Sequence, residues 1–541
     1  MSGLASFWGC GEYCERPGNH MTSKSSVDER LAAEGERREQ GLRYVELFRA
    51  AFDELHEAIV RHVKTPGRYV GSHDDYPRMS FLESGFPYFS DAGFYTDRSP
   101  RDYVGSIRPR GLFGVFSDRE IPELDLPKGA ELAAFLRGHE IGKRLALDQF
   151  VFDGTPSDIP VARLVDDAVE RYLHLHGLDA QVDSKLRNDV IRPLLLGTVN
   201  RRLDVRLVVP ITMTHFEVDH FLLTETTYIT RLPKKMQLAR ARIGTLGTGA
   251  VQDVVAAATH AFVSSGWNLE VDNINDVRSS LGQSSANVSD AIDSFFGAMR
   301  VATGISTGYA QILWMPRKWA LDYFCDLTPL YGTAVRQYPS YFDNYGWVRT
   351  GATVAADQLE DVRRTYRAVL ASNSEAVRLA LKRLNGCLTR TDAADAILDG
   401  TIGLELLLGD DENQSLSYKL RLRVAALAIL HAGTARSAKE VASKVKRLYE
   451  ARSSIVHGRR RRRSTKASEP VDTRHSEDRV IASDLLRFVL DVLLTHPEYQ
   501  DPSKIDEGLL LRGDDLAEGR DAHAAGRGRP RKRKRGSKKQ G

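Results

Sequence analysis

The sequence predicts an α+β N-terminal region, an all-α C-terminal helical bundle and a disordered basic tail. Three observations lead there. Residues 204 to 232, "DVRLVVPITMTHFEVDHFLLTETTYITRL", combine β-branched and aromatic residues with partial alternation, which reads as two or three strands. After about residue 354 every apolar segment has helical spacing, with a capping or breaking residue before the next one. From Gly519 the chain is Gly, Ala and basic residues, a composition that buries nothing.

Taken in order, residues 1–27 read as a disordered leader. Its "CGEYC" and His20 supply three possible zinc ligands but no clear fourth, in a spacing that fits no zinc pattern. Residues 28–350 form the α+β region. Tyr44, Phe48, Phe52, Leu55 and Ile59 recur with the period of an amphipathic helix, which "KTPG" at 64–67 stops. Residues 68–125, rich in Gly, Pro and aromatics, predict loops and short strands, and "STGYAQILWMP" at 306–316 predicts a further strand. Residues 354–497 form the bundle. Its six segments are "AADQLEDVRRTYRAVLAS", "SEAVRLALKRLNG", "TDAADAILDGTIGLELLLG", "SLSYKLRLRVAALAILHAG", "SAKEVASKVKRLYEARSSIVHG" and "SEDRVIASDLLRFVLDVLLTH". Ser415, Ser437 and Ser476 are candidate N-caps. Residues 498–541 lose the periodicity and are assigned to the tail.

Composition narrows the function classes. At 541 residues the chain exceeds one ordinary core, while 42% hydrophobic and 27% charged residues are globular values. The four cysteines, Cys10, Cys14, Cys325 and Cys387, form no disulfide framework, so a reducing cytoplasm is expected. No apolar run reaches the roughly 20 residues that span a bilayer, so no membrane partner is expected. Residues 520–541 carry ten Lys/Arg against Asp521; of the total of +4, this leaves −5 for residues 1–519. Attraction for polyanions therefore belongs to segments and not to the whole surface.

The segment with the most chemistry is "RLYEARSSIVHGRRRRR", residues 447–463. Val441, Val445, Leu448, Ile455 and Val456 lie near one helix face, expected to be core, and Arg452 falls on the same stripe. A guanidinium there needs a partner or a solvated groove. His457 follows by five positions, about 140° around an ideal helix. The two meet at one phosphate only if the helix bends or ends at His457, which Gly458 permits as a C-terminal cap, or if a second protomer supplies the missing group.

"LYEARSSIVHG" resembles the signature of the ApeA-like HEPN domain family: Tyr, then an Arg-Ser pair, then an apolar-His-Gly ending. "ADAILDGTIGLELLLG" and "LSYKLRLRVAAL" are similar to that family's preceding helices, so the resemblance spans roughly residues 380–495. It extends more weakly to "VVPITMTHFEVDHFLLTETTYITRL" and "GYAQILWMPRKWA" in the N-terminal region. The resemblance implies a metal-independent endoribonuclease with no cofactor, acting as a homodimer whose two Arg-x4 to 6-His motifs line one cleft. Carried over by position, the catalytic set is Arg452, His457, Ser453 and Glu405, with Tyr449 in the aromatic slot before the Arg. It also implies cellular RNA, tRNA among the candidates, as the substrate in anti-phage defence, with the N-terminal region sensing a trigger or positioning the RNA.

The chemistry of RNA suits that residue set. The ribose 2′-OH can attack its own phosphate, so the protein need supply only a base and charge stabilisation. Imidazole transfers protons near neutrality, and Arg offers a permanent forked charge to phosphate oxygens. The expected products carry 2′,3′-cyclic phosphate and 5′-hydroxyl ends, and DNA, lacking the 2′-OH, is not cut. Arg459, Arg460, Arg461, Arg462 and Arg463 follow His457 directly and are expected to hold the RNA backbone without reading sequence. In the tail, Arg527-Gly528-Arg529-Pro530 resembles the core of an AT-hook, and with Arg531, Lys532 and Arg533 it is a candidate for A·T-rich DNA or other polyanions.

Other motifs fail on spacing. "HEIGK" at 139–143 has Lys143 where a zinc helix needs a second His, and "GTLGTG" at 244–249 lacks the Lys-Ser/Thr of a phosphate loop. His215, Glu217 and Asp219 share one strand face, a pattern of exposed polar strands as much as of sites. Two further function classes stay open: a catalytically inactive HEPN module for nucleic-acid binding or dimerisation, and a DNA-binding regulator acting through the tail.

Overall fold

The computed structural model describes residues 24–90, 99–107, 126–145, 147, 151–152, 155–156, 159–179, 181–282, 285–410, 415–430, 437–457 and 471–511. It is a mixed α+β chain with a sheet-containing N-terminal half and a helical C-terminal half. In chain order the elements are α1 (Lys24–Lys64), β1 (Arg78–Phe81), β2 (Pro87–Ser90), α2 (Pro127–Arg137), α3 (Glu140–Arg144), β3 (Val151–Phe152), β4 (Thr155–Pro156), α4 (Ile159–His176) and α5 (Ser184–Val199). Next come β5 (Arg202–Thr212), β6 (Thr214–Phe216), β7 (His220–Leu222), β8 (Thr227–Arg231), α6 (Lys234–Ala241), α7 (Gln252–Ala256), β9 (His260–Glu270), α8 (Asn275–Gly282) and α9 (Ala286–Thr303). The remainder is β10 (Gly308–Pro316), β11 (Tyr331–Gln337), β12 (Ala352–Val354), α10 (Ala356–Ala371), α11 (Glu375–Thr389), α12 (Ala393–Leu408), α13 (Leu416–Leu427), α14 (Ala438–His457) and α15 (Val471–Thr495). A short α16 (Pro502–Ile505) and one π-helical turn follow.

The chain divides into two units, one of residues 1–210, 230–284 and 311–336, the other of residues 211–229, 285–310 and 337–541. In the first unit, the predicted stripe of α1 is fully buried: Tyr44, Phe48, Phe52, Leu55 and Ile59 pack with Leu132 and Leu136 of α2 and Leu164 and Leu173 of α4. Helix α5 starts where the Asp183 carboxylate accepts the Lys185 and Leu186 N–H groups at 2.8 and 2.9 Å. Strands β11, β10, β5 and β9 lie side by side in that order. The buried Arg240 guanidinium donates to Gln237, Gln311 and the carbonyls of Val255, Ala256 and Ala258, which meets the requirement that a buried cation be surrounded by acceptors.

The second unit is mainly helical among the described residues; it also holds the parallel pair β6 and β12 and the hairpin of β7 and β8, closed by the Leu223 N–H on the Thr227 carbonyl at 3.0 Å. Helix α9 packs on α10, α11 and α15; α12 packs between α11 and α15; α13 packs on α14. The α11–α12 contact is ionic as well as apolar, since the buried Asp399 carboxylate takes Arg383 at 2.7 Å and Arg390 at 2.5 Å. Two glycines of α12 set its distance from α15. A Cβ on Gly400 would stand 2.7 Å from the Ala482 Cβ, and one on Gly403 would stand 2.6 Å from a Leu486 methyl.

Several expectations change. The second unit takes in α9, which packs on α10, α11 and α15, and residues 211–229, whose β6 pairs with β12, although both fall within the 28–350 region expected to be N-terminal. Residues 498–511, assigned to the tail, instead fold into short helical turns: Ile505 is fully buried and Asp506 holds the Arg423 guanidinium at 2.5 Å. Ser476 lies inside α15, which starts at Val471, and Ser415 precedes α13 at φ +54° with no side-chain cap. On α14, Val441, Val445 and Leu448 are buried as expected, whereas Ile455 is only half-buried and Val456 is 54% exposed. The strand region holds β5 to β8, and among the described residues of 68–125 only β1 and β2 are strands beyond a single bridge.

The glycine contacts yield a graded prediction. Gly→Ala inside a helix gains about 1 kcal/mol in propensity, against about 1–3 kcal/mol for overpacking. At Gly400 the obstacle is a Cβ rigidly fixed to a helix, so Gly400→Ala should lose net stability; at Gly403 it is the end of a flexible side chain, so Gly403→Ala should be close to neutral. Urea unfolding of the two variants checks the order, and equal effects would contradict it.

Candidate functional site

Helix α12 brings Glu405 to the side of α14 that carries Tyr449 and Arg452. The Tyr449 hydroxyl donates to Glu405 Oε1 at 2.7 Å, and the Arg452 Nε lies 3.4 Å from the same oxygen. One carboxylate therefore holds two residues one turn apart on the neighbouring helix. Burial, with the hydrogen bond to Glu405 next, raises the Tyr449 phenol well above its ordinary value, so it stays a donor at physiological pH.

Arg452 thus has the partner its position demanded. Its side chain is 36% exposed and Glu405 19% exposed, a pair at the margin of the bundle and not within its core. Among the described residues Arg452 makes no other polar contact, which leaves its two Nη groups available to an anion. Ser453 and His457 are exposed, and neither has a hydrogen-bond partner among the described residues. Helix α14 continues without interruption through His457, its last described residue. Arg452 and His457 therefore keep the separation of about 140° that five helical residues impose. The structure brings together Arg452, Glu405 and Tyr449, and leaves His457 on another side of the same helix.

The arginine run Arg459–Arg463, Gly458, the tail residues Arg527, Arg529, Arg531, Lys532 and Arg533, and Cys10, Cys14 and His20 lie outside the described residues. The rejected motifs have local duties. His139 of "HEIGK" accepts the Ile141 N–H at 3.1 Å and caps α3, while Glu217 accepts the Ala356 N–H at 3.0 Å and caps α10. No helix of the described residues is long and apolar enough to cross a membrane.

Sequence reading missed a cluster in the first unit. Glu170 and His174, one turn apart on α4, meet His73, Asp102 and Cys325 in the interior. Glu170 Oε1 lies 3.0 Å from His73 Nε2 and 2.9 Å from His174 Nε2, while the Tyr103 and Val104 N–H groups donate to the same carboxylate at 3.2 and 2.7 Å. Burial works to raise the Glu170 pKa, but the bonds from His174, His73 and Val104 outweigh it and hold it at about 2. The only part legible in sequence is the Glu170/His174 spacing; His73 and Cys325 come from distant loops.

Comparison with known protein families, curated proteins and solved structures yields no match.

The geometry around Glu405 predicts different costs for its two partners. Tyr449→Phe removes a hydrogen bond to a carboxylate in a half-buried place and should lose about 1–2 kcal/mol. Arg452→Ala breaks a solvent-screened pair and should lose less than about 1 kcal/mol. Thermal melts followed by circular dichroism check this, and a larger loss for Arg452→Ala would show that its role is structural.

Proposed function

We propose that the second unit is a HEPN-type endoribonuclease which cuts RNA without a metal ion, in a cleft completed by a second copy of the chain. The observation that carries this reading is the state of Arg452: a forked cation held at one nitrogen by Glu405, with its remaining donors open, on the helix that ends its described course in an exposed imidazole. A purely structural ion pair would be expected deeper, with both ends of the guanidinium engaged, as Arg423 is by Asp506, Asp410 and the Leu408 carbonyl.

The roles follow from the chemistry. The 2′-oxygen gives its proton to the His457 imidazole and forms its bond to phosphorus while the bond from phosphorus to the 5′-oxygen breaks. The 5′-oxygen takes up a proton from water and leaves as a hydroxyl, and the other fragment keeps a 2′,3′-cyclic phosphate. Arg452 binds the phosphate oxygens as their charge grows, Glu405 and Tyr449 hold Arg452 in line, and Ser453 is assigned to donate to the same phosphate. The unbroken helix between Arg452 and His457 supports the homodimer, since the two side chains of one chain diverge too far to share one phosphate. Val456, apolar and 54% exposed beside them, fits the same contact. The arginine run is assigned to backbone contacts, and the tail to A·T-rich DNA or other polyanions. A part in anti-phage defence, tRNA as target, the cytoplasm as compartment and a sensing N-terminal region complete the reading, and these rest on the family resemblance.

Purified wild type, Arg452→Ala and His457→Ala should be incubated with total cellular RNA in EDTA and the ends mapped. Each variant should lose about 100-fold or more of the cleavage, and the products should carry cyclic phosphate ends. Refolding the two inactive variants together should restore part of the activity, because a mixed dimer holds one cleft with both groups. Equal cleavage by all proteins would sink the nuclease, and a mixture that stays inactive would sink the shared cleft.

A further inference from the structure

The first unit contains a buried constellation with no place in RNA cleavage. His73, His174 and Cys325 each bring one ligating atom within 4.8 Å of the others, and His73, Asp102 and Glu170 form an overlapping group. All five belong to the first unit. They reach this point from four separate segments: the loop at His73, tied to the next by the His73 N–H on the Pro100 carbonyl at 2.8 Å; the turn at Asp102; helix α4; and the loop at Cys325, held by Arg171 on the Leu327 carbonyl at 2.7 Å.

A hydrogen-bond network accounts for part of this. Glu170 accepts from two backbone N–H groups and faces two imidazoles, so its carboxylate is satisfied. Cys325 is not explained that way. Its side chain is 1% exposed, its thiol is in no disulfide, and its Sγ makes no hydrogen bond among the described residues. Its backbone lies at φ +47°, a conformation that costs a non-glycine residue energy and persists only where its surroundings hold it there. A thiol turned towards two imidazoles at that cost is the donor set of a soft or borderline cation.

We propose that His73, His174 and Cys325 bind a structural zinc ion, the imidazoles through their Nδ1 atoms, while Glu170 holds both rings at Nε2. Two nitrogens and one sulfur suit a tetrahedral zinc shell, in which neighbouring donors stand roughly 3.3–3.8 Å apart. A tetrahedron needs one further donor, which a bound water molecule would supply. A carboxylate behind each ligating imidazole is the usual support of such shells, fixing ring orientation and tautomer. Binding displaces the thiol proton, since zinc takes the thiolate. The site is closed: His73, Glu170 and Cys325 are all buried. Its consequence is mechanical. Phe324 and Leu327, on either side of Cys325, line a cavity of about 510 Å³ together with Arg163 and Arg242, and the Arg242 guanidinium stacks 3.3 Å from the Phe324 ring centre. A cation on Cys325 would anchor to α4 the loop that shapes this cavity.

The test uses the full chain, purified without chelator, with zinc measured by mass spectrometry and the chain then reloaded with Co²⁺ alone. Stoichiometric zinc is expected, and the cobalt form should show both the strong visible bands of a tetrahedral ion and a near-ultraviolet thiolate-to-cobalt band. Cys325→Ser should lose the thiolate band, Cys387→Ser, at a buried thiol of the other unit, should keep it, and Glu170→Gln should weaken zinc binding roughly 10–100-fold. The wild-type spectrum needs no variant to fold. A chain that takes up no cobalt, shows no thiolate band, or gives the same spectrum with Cys325→Ser overturns the proposal.

Discussion

The close approach of α12 to α15 is the constraint on which the second unit depends. Gly400 presents no side chain where the Ala482 Cβ presses in, so at that point the two helices come nearer than any other residue would allow, and Gly403 leaves room for a Leu486 methyl one turn on. That depth places the opposite side of α12 against α11 and α14 at once. Asp399 then reaches both Arg383 and Arg390, and Glu405, six residues on, reaches Tyr449 and Arg452. The chemistry proposed for Arg452 thus rests on an apolar contact between other residues on the far side of its neighbouring helix.

Two treatments of charge stand side by side within the same unit. Arg300 is fully buried and donates to Asn385 and the Thr307 carbonyl, and Arg423 is bound by two carboxylates and a carbonyl. Both are cations whose desolvation is offset by acceptors aimed at them. Arg452 differs in having one acceptor and substantial exposure. Its contribution to stability is small for that reason, and an incoming phosphate would not have to displace a strong internal partner.

Sequence made the periodic parts of this fold legible and left the convergent parts hidden. The α1 stripe from Tyr44 to Ile59 and the six C-terminal helices follow from spacing alone, since the period of an amphipathic helix is a local property. The partner that Arg452 required was also foreseeable in kind, because a cation on an apolar stripe cannot stand alone; its identity, Glu405, came from resemblance. Three features lay beyond local reading. Helix α9 joins the second unit although about 50 residues of strand and loop separate it from α10, and nothing in its own spacing names its partners. Residues 498–511 pack because Arg423 and Asp506 pair across 83 positions. The end of α14 stays helical yet turns Val456 outward, which a count of apolar residues on one face does not reveal.

Two glutamates, one in each unit, show how burial decides what a shared carboxylate can do. Glu170 and Glu405 each gather two side chains onto one oxygen. Around Glu170 the partners are buried imidazoles with a buried thiol beside them, so the ligands that could enter are limited to something as small as an ion, and any exchange would need the loops at His73 and Cys325 to open. Around Glu405 one partner is a half-open guanidinium, so an extended anion can approach without unfolding anything. The same organising device therefore fits the fixed cation proposed for one unit and the transient phosphate proposed for the other. The difference lies in access, because in both places the carboxylate orients groups whose charge or lone pairs are used elsewhere.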